Sequence, residues 1–128
     1  MPLTLAIDFD GTLVENRFPG IGPPAPGAVQ TLREATAGGA RIILWTCRTG
    51  RHLQDAVAWC RQHGIKLTGV NADPAKKGGP KVHADVYVDE RGLTPTLRDR
   101  MGKPVVDWAR VRPTLATMVA EAMKRGKP

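Results

Sequence analysis

The sequence predicts an α/β protein: a parallel sheet of about four strands with helices on both faces, in one domain spanning residues 1–128. Three observations predict it. Strand-like apolar runs alternate with stretches of helical period along the chain. The first run, Leu3 to Ile7, is dense enough in apolar residues to be a strand buried on both faces. Glycines stand where the intervening helices should stop, at Gly38-Gly39 and at Gly64.

Taken in order, the first strand ends in Asp8-Phe9-Asp10-Gly11-Thr12. Residues 14–25 then hold Arg17, Phe18 and Pro19-Gly20-Ile21-Gly22-Pro23-Pro24, a density of Pro and Gly that no helix or central strand tolerates. This segment reads as a flap over the end of the sheet. A helix follows over Pro26–Ala37, with Pro26 suited to its first turn and Val29, Leu32 and Ala35 forming its stripe. Ala40–Thr46 is the second strand. Residues 51–63 form a second helix, with Leu53, Ala56, Val57 and Cys60 on one face. Ile65–Val70 is the third strand, Asn71–Pro80 a loop, and Ala84–Asp89 the fourth strand. Residues 93–104 read as loop, and Val105–Val111 as ambiguous, with Trp108 a core anchor. Pro113 is expected to start a last helix with Leu115, Met118, Val119 and Ala122 on its apolar face, fraying over 124–128.

With 128 residues and 41% apolar content, the chain can bury a real core. It holds no apolar run long enough to span a membrane. It opens almost at once on the first strand, with no basic leader or cleavable apolar segment, so a cytoplasmic protein is expected. The two cysteines, Cys47 and Cys60, have neither disulfide-framework nor metal-ligand spacing. A cysteine phosphatase loop would need Arg six residues after Cys47, where the chain has Leu53. The net charge of +7 suits anionic partners, phosphorylated metabolites and nucleic acid among them, or simply a basic solubilising surface. With one Tyr and two Phe, a platform for stacking single-stranded bases is poorly supplied.

Side chains alternate along a strand, so Asp8 and Asp10 point one way and Phe9 the other. In open α/β sheets, ligands bind outside the C-terminal ends of the strands, where this pair stands. Two close carboxylates need a cation or a shared proton, or divide the work between a nucleophile and an acid/base. Mg²⁺ is the hard cation that suits such oxygens. Gly11 permits a sharp turn that brings N–H groups near a bound anion, and Thr12 adds a hydroxyl and an amide.

Asp8-Phe9-Asp10-Gly11-Thr12 resembles motif I of the haloacid dehalogenase (HAD) superfamily, DxDGT, whose members are mostly phosphohydrolases. The other motifs follow in order: Leu44-Trp45-Thr46 at a strand end, Lys81 ahead of Ala84-Asp85, and the acidic pair Asp89-Glu90. The resemblance is to small members without a cap domain, since residues 14–25 are too few to fold as one. It implies a Rossmann-like HAD fold with the first strand between the second and the fourth. It further implies a Mg²⁺-dependent phosphatase in which Asp8 is the nucleophile and Asp10 the acid/base. Thr46 and Lys81 would hold the phosphate, and Asp89 would bind the metal with the Asp8 carboxylate and the Asp10 backbone carbonyl. Glu90 stands where a second Asp is common, and its extra methylene is expected to carry it outward, to act through water.

Gly11, Thr12, Cys47, Arg48 and Asn71 are further candidates for substrate contact. Arg48 and Arg51 read equally well as solvated charges at a helix start, and Lys76 and Lys77 are the alternatives to Lys81, in a Gly/Pro-rich loop. An open site without a cap suits large phosphorylated substrates, such as a nucleic-acid end. A small-metabolite or nucleotide phosphatase and a non-catalytic basic binding module are the alternatives.

Overall fold

The computed structural model describes residues 2–76 and 82–125. Its elements are β1 (Thr4–Ile7), α1 (Ala28–Ala37), β2 (Arg41–Leu44), α2 (Gly50–Gln62), β3 (Gly69–Val70), β4 (Val86–Val88), β5 (Thr96–Arg98), β6 (Pro104–Val106) and α3 (Trp108–Arg125). The main sheet has the order β3-β2-β1-β4 and is parallel throughout, so β1 lies between β2 and β4. The α/β architecture is the one expected.

Every residue of β1 is buried, and so are Ile42, Ile43 and Leu44 of β2. Burial without alternation means that both faces of these central strands are covered, as in parallel sheets generally. Leu5, Ile7, Phe9, Leu13, Leu32, Leu44 and Trp108 belong to one core cluster. Helix α1 packs on α3, while α2 sets Trp59 edge-on to Phe9 at 5.5 Å between ring centroids. Phe9, fully buried, anchors the motif loop from beneath and leaves Asp8 and Asp10 to the opposite side.

Several boundaries differ from the sequence reading. Helix α1 starts at Ala28 rather than Pro26, because Gly27 takes a left-handed φ of 83° that ends the preceding turn. Strand β2 stops at Leu44, which leaves Thr46 two residues past the strand. Strand β3 keeps only Gly69–Val70 of the expected Ile65–Val70. Ile65 is spent on the core just after the α2 C-terminus, and its N–H caps that helix by donating to the Cys60 carbonyl at 2.9 Å. Strand β4 is likewise shorter than Ala84–Asp89. The last helix begins at Trp108, so Pro113 lies inside it, and Lys124 and Arg125 are helical rather than frayed.

The larger difference is at 93–104, read as loop, where β5 and β6 form an antiparallel hairpin. One acid closes its turn: Asp99 Oδ1 accepts the Met101 and Lys103 N–H groups at 2.8 and 3.0 Å. The hairpin is tied to the motif loop. Val106 N–H donates to the Gly11 carbonyl at 3.0 Å, and Trp108 Nε1 donates to the Thr12 carbonyl at 2.8 Å. A strand of three residues containing Arg and flanked by Pro carries too short a pattern to be seen in sequence.

Candidate active site

A cleft of about 630 Å³ opens at the C-terminal ends of β1 and β4, lined by Asp8, Asp10, Asn16, Phe18, Trp45, Thr46, Cys47, Arg48, Asp89, Glu90 and Arg91. Residues from four separate stretches of chain thus meet at one sheet end. The meeting follows from the strand order, since β1 has β2 and β4 as its hydrogen-bonded neighbours.

Asp8 is half-buried among the other acids. Burial raises its carboxyl most, the charges of Glu90, Asp10 and Asp89 raise it further, and together they carry it to about 7. Its neighbour Thr12 is fully buried and donates from Oγ1 to Asp8 Oδ2 at 3.5 Å. The Gly11 and Thr12 amides do not face the cleft as anion donors. Gly11 N–H donates to the Val14 carbonyl at 2.8 Å and Thr12 N–H to the Phe9 carbonyl at 3.1 Å, which corrects the expectation that they hold a bound anion.

Glu90 also departs from expectation. Its carboxyl turns inward, towards Asp8, and burial raises its pKa. A Cβ on Gly11 would stand 2.2 Å from Glu90 Oε2, and Gly11 itself has a φ of 80°. Glycine at position 11 therefore serves both the left-handed turn and the space that Glu90 fills. The extra methylene carries the acid in over the glycine instead of out to solvent.

Asp89 is half-exposed and doubles as a turn acid. Its Oδ1 accepts the Arg91 and Gly92 N–H groups at 2.8 and 2.5 Å, while Oδ2 takes no part in the turn. Thr46 accepts the Arg48 N–H on Oγ1 at 3.1 Å, and its own N–H donates to Asn71 Oδ1 at 2.8 Å. Asn71, in the left-handed region at φ 54°, thus positions Thr46 and does not line the cleft itself. Cys47 is exposed on the cleft wall.

Arg48 is not a solvated charge at a helix start. Its side chain is 1% exposed, and all five of its N–H groups are used. Nε donates to Asp10 Oδ2 at 2.7 Å, and Nη2 donates to Asp10 Oδ1 at 2.7 Å and to the Gly20 carbonyl at 2.8 Å. Nη1 donates to the Pro19 and His52 carbonyls. The guanidinium lies 5.1 Å from the ring centroids of both Phe9 and Phe18. One residue therefore fixes the Asp10 carboxylate and clamps the flap to α2. The flap ends are themselves tied, by Glu15 N–H to the Pro23 carbonyl at 2.9 Å and Ala25 N–H to the Leu13 carbonyl at 2.8 Å.

Lys81, read as a phosphate holder, and its alternative Lys77 lie outside the described residues. The other alternative, Lys76, is exposed and stands 3.1 Å from the His83 ring nitrogen. Sequence reasoning missed Asn16, Phe18, Trp45 and Arg91 as cleft residues. A signal existed for Arg91, next to the acidic pair, and for Phe18, the lone aromatic of the flap. Trp45 stands inside the Leu44-Trp45-Thr46 motif, where the resemblance assigns a role to Thr46 alone, and nothing local marks Asn16.

Among the described residues, no three acidic, histidine or cysteine side chains are grouped so as to hold a metal ion. Mg²⁺ asks for less than that, one or two carboxylates with water completing its shell. Asp8 and Asp89 offer hard oxygens, and the charge crowding that raises Asp8 is what a cation relieves. The residues present fit such an ion.

A solved structure described as a conserved protein coded by a locus of Bacteroides thetaiotaomicron is 34% identical to this chain, with a TM-score of 0.70. The match covers 100% of this chain and 94% of that one. No family model and no curated protein matches the chain.

Proposed function

The chain belongs to the same family as this conserved Bacteroides protein, and from the chemistry of its cleft we propose that it is a Mg²⁺-dependent phosphomonoesterase acting through an aspartyl phosphate. One observation carries the reading. Asp8, Asp10, Thr46, Asp89 and Glu90 meet in a single cleft, and two of these acids, Asp8 and Asp10, stand two residues apart in a stretch that resembles HAD motif I.

Asp8 attacks phosphorus, forming a carboxylate O–P bond as the bond to the leaving oxygen breaks. Asp10, protonated when the anionic substrate binds, gives that proton to the leaving oxygen. It then takes a proton from the water that opens the aspartyl phosphate, which frees inorganic phosphate and restores both acids. Arg48 keeps the Asp10 carboxylate in one orientation throughout. The Thr46 hydroxyl, with its oxygen accepting from Arg48 N–H, has its proton left for a phosphoryl oxygen. Asp8, Asp89 and the Asp10 backbone carbonyl would hold Mg²⁺, which offsets the charge of the acids and the phosphate when bound. Lys81 is proposed as the second cation for that charge.

The test is phosphate release from para-nitrophenyl phosphate, with Mg²⁺ and with excess EDTA, on the wild type and on Asp8→Asn. The wild type should turn over only with Mg²⁺, and Asp8→Asn should lose at least about a thousandfold while keeping its far-UV circular dichroism. Mg²⁺-dependent turnover surviving in Asp8→Asn would overturn the mechanism.

A further inference from the structure

Resting on the phosphatase reading, we propose that the flap and the β5–β6 hairpin form the landing surface for the chain that carries the phosphate, and that this chain is single-stranded nucleic acid with its terminal phosphate in the cleft.

The charge on this surface is one-sided. Residues 15–22 and 91–103 contain Arg17, Arg91, Arg98, Arg100 and Lys103 against Glu15 and Asp99. Both acids are turned in, with side chains 10% and 1% exposed, and Arg17 bonds to each of them, to Glu15 at 3.0 Å and to Asp99 at 3.5 Å. Arg91, Arg98, Arg100 and Lys103 are exposed. What solvent meets here is positive charge.

The same surface gathers exposed apolar groups. Among the described residues, five of the six exposed large apolar side chains lie on it: Phe18, Ile21, Leu93, Leu97 and Met101. Exposed apolar side chains confined to two adjoining segments favour a contact surface over scattered exposure. The surface is also continuous with the cleft. Lys103 Nζ donates to the Asn16 carbonyl at 3.3 Å, and the Arg100 N–H donates to Glu15 Oε1 at 3.4 Å, so the hairpin turn rests on the flap. Asn16, Phe18 and Arg91 line the cleft itself.

A partner that fits must bring repeated negative charge and flat apolar faces, and must pass a phosphate into a recess. Single-stranded nucleic acid does all three. Its phosphates pair with arginine forks, and with Phe18 the one exposed aromatic ring here, apolar contact with Leu97 and Met101 stands in for a stacking platform. A flexible end can reach Asp8 in the cleft. A headgroup held in the plane of a bilayer would have to leave that plane to do so.

The probe is a fluorescein-labelled 12-nucleotide single strand with one terminal phosphate, at the 3′ end in one version and the 5′ end in another. Binding is followed by fluorescence anisotropy in EDTA on wild type, Arg98→Gln/Arg100→Gln and Arg98→Lys/Arg100→Lys. Wild type should bind, and the glutamine pair should weaken binding about tenfold at low salt. The slope of log K against log salt should become shallower by about 1.4, at about 0.7 per lost phosphate contact. The lysine pair should keep most of the affinity, which excludes a folding defect.

Absence of oligonucleotide binding by wild type would overturn the proposal. So would equal binding by the glutamine pair, or tighter binding of anionic phospholipid vesicles or of an acidic phosphopeptide. Binding needs no turnover. Failure of para-nitrophenyl phosphate hydrolysis with oligonucleotide binding intact therefore overturns the phosphatase reading alone, and hydrolysis without oligonucleotide binding overturns this inference alone.

Discussion

A buried carboxylate surrounded by other carboxylates is a poor residue for stability and a good one for nucleophilic chemistry. Asp8 is in that position, with burial and the Glu90 charge the two largest influences that push it to about 7. Removing the charge while keeping the shape should therefore stabilise the metal-free protein. Asp8→Asn is expected to gain about 1–3 kcal/mol in unfolding free energy at pH 8 in EDTA, a discounted reading of a shift of this size. Urea denaturation checks this, and a lower midpoint in Asp8→Asn would show that Asp8 is stabilised by its neighbours rather than strained by them. Local sequence displayed the two acids and the glycine between them and Thr12. It did not display the inward turn of Glu90, because that contact joins residues far apart in the chain, above Gly11.

Among the elements, the flap shows how one long-range contact organises a segment without secondary structure. Its shape depends on close approaches: a Cβ on Gly22 would stand 2.2 Å from the Glu15 carbonyl oxygen. Its position depends on Arg48, which donates to the Pro19 and Gly20 carbonyls and to Asp10. Arg48→Met should leave Asp10 as an unpaired, half-buried charge and free the flap. A loss of about 3–5 kcal/mol is expected, with cleavage by a nonspecific protease concentrated within residues 14–25. The double variant Asp10→Asn/Arg48→Met should recover much of that stability, since no orphan charge remains. Equal stability of the single and double variants would place Arg48's value in the flap carbonyls instead. The motif Thr46-Cys47-Arg48-Thr49-Gly50 placed this arginine near the strand end, but not its partner 38 residues away.

For the whole molecule, ion pairs between elements decide how the sheet responds to acid. Arg41 at the start of β2 donates Nη1 and Nη2 to Asp73 Oδ2 and Oδ1 at 2.9 and 2.6 Å, joining the second strand to the loop after β3. The Arg41 hydrogen bonds, with the Ala75 N–H next, hold the Asp73 carboxyl down to about 2 from an ordinary 3.8. A lowered carboxyl adds stability that is present above its unfolded value and is lost as pH falls through the folded one. The contribution should thus disappear between about pH 4 and pH 2. Urea midpoints at pH 6 and pH 2.5 should fall further in wild type than in Asp73→Asn, and parallel falls would show that the pair carries no acid sensitivity. Its residue type marks Asp73 as a turn acid, a role it also fills by accepting the Ala75 N–H at 2.9 Å. The bidentate pair arises from strand packing that no local pattern encodes.

By itself, the sequence determined the α/β class, the approximate places of β1, α1, β2 and α2, and the two acids leaving the first strand on one side. These are properties of periodicity and punctuation, carried by residues adjacent in the chain. Tertiary structure alone decided the β5–β6 hairpin, held by Val106 to Gly11 and by Trp108 to Thr12, a contact spanning 96 residues. It also decided the commitment of Arg48 to Asp10 and the flap, and the gathering of exposed cations beside the cleft. Such pairings become favourable only once packing has brought distant stretches together and excluded water from between them, so they leave no trace in the local sequence.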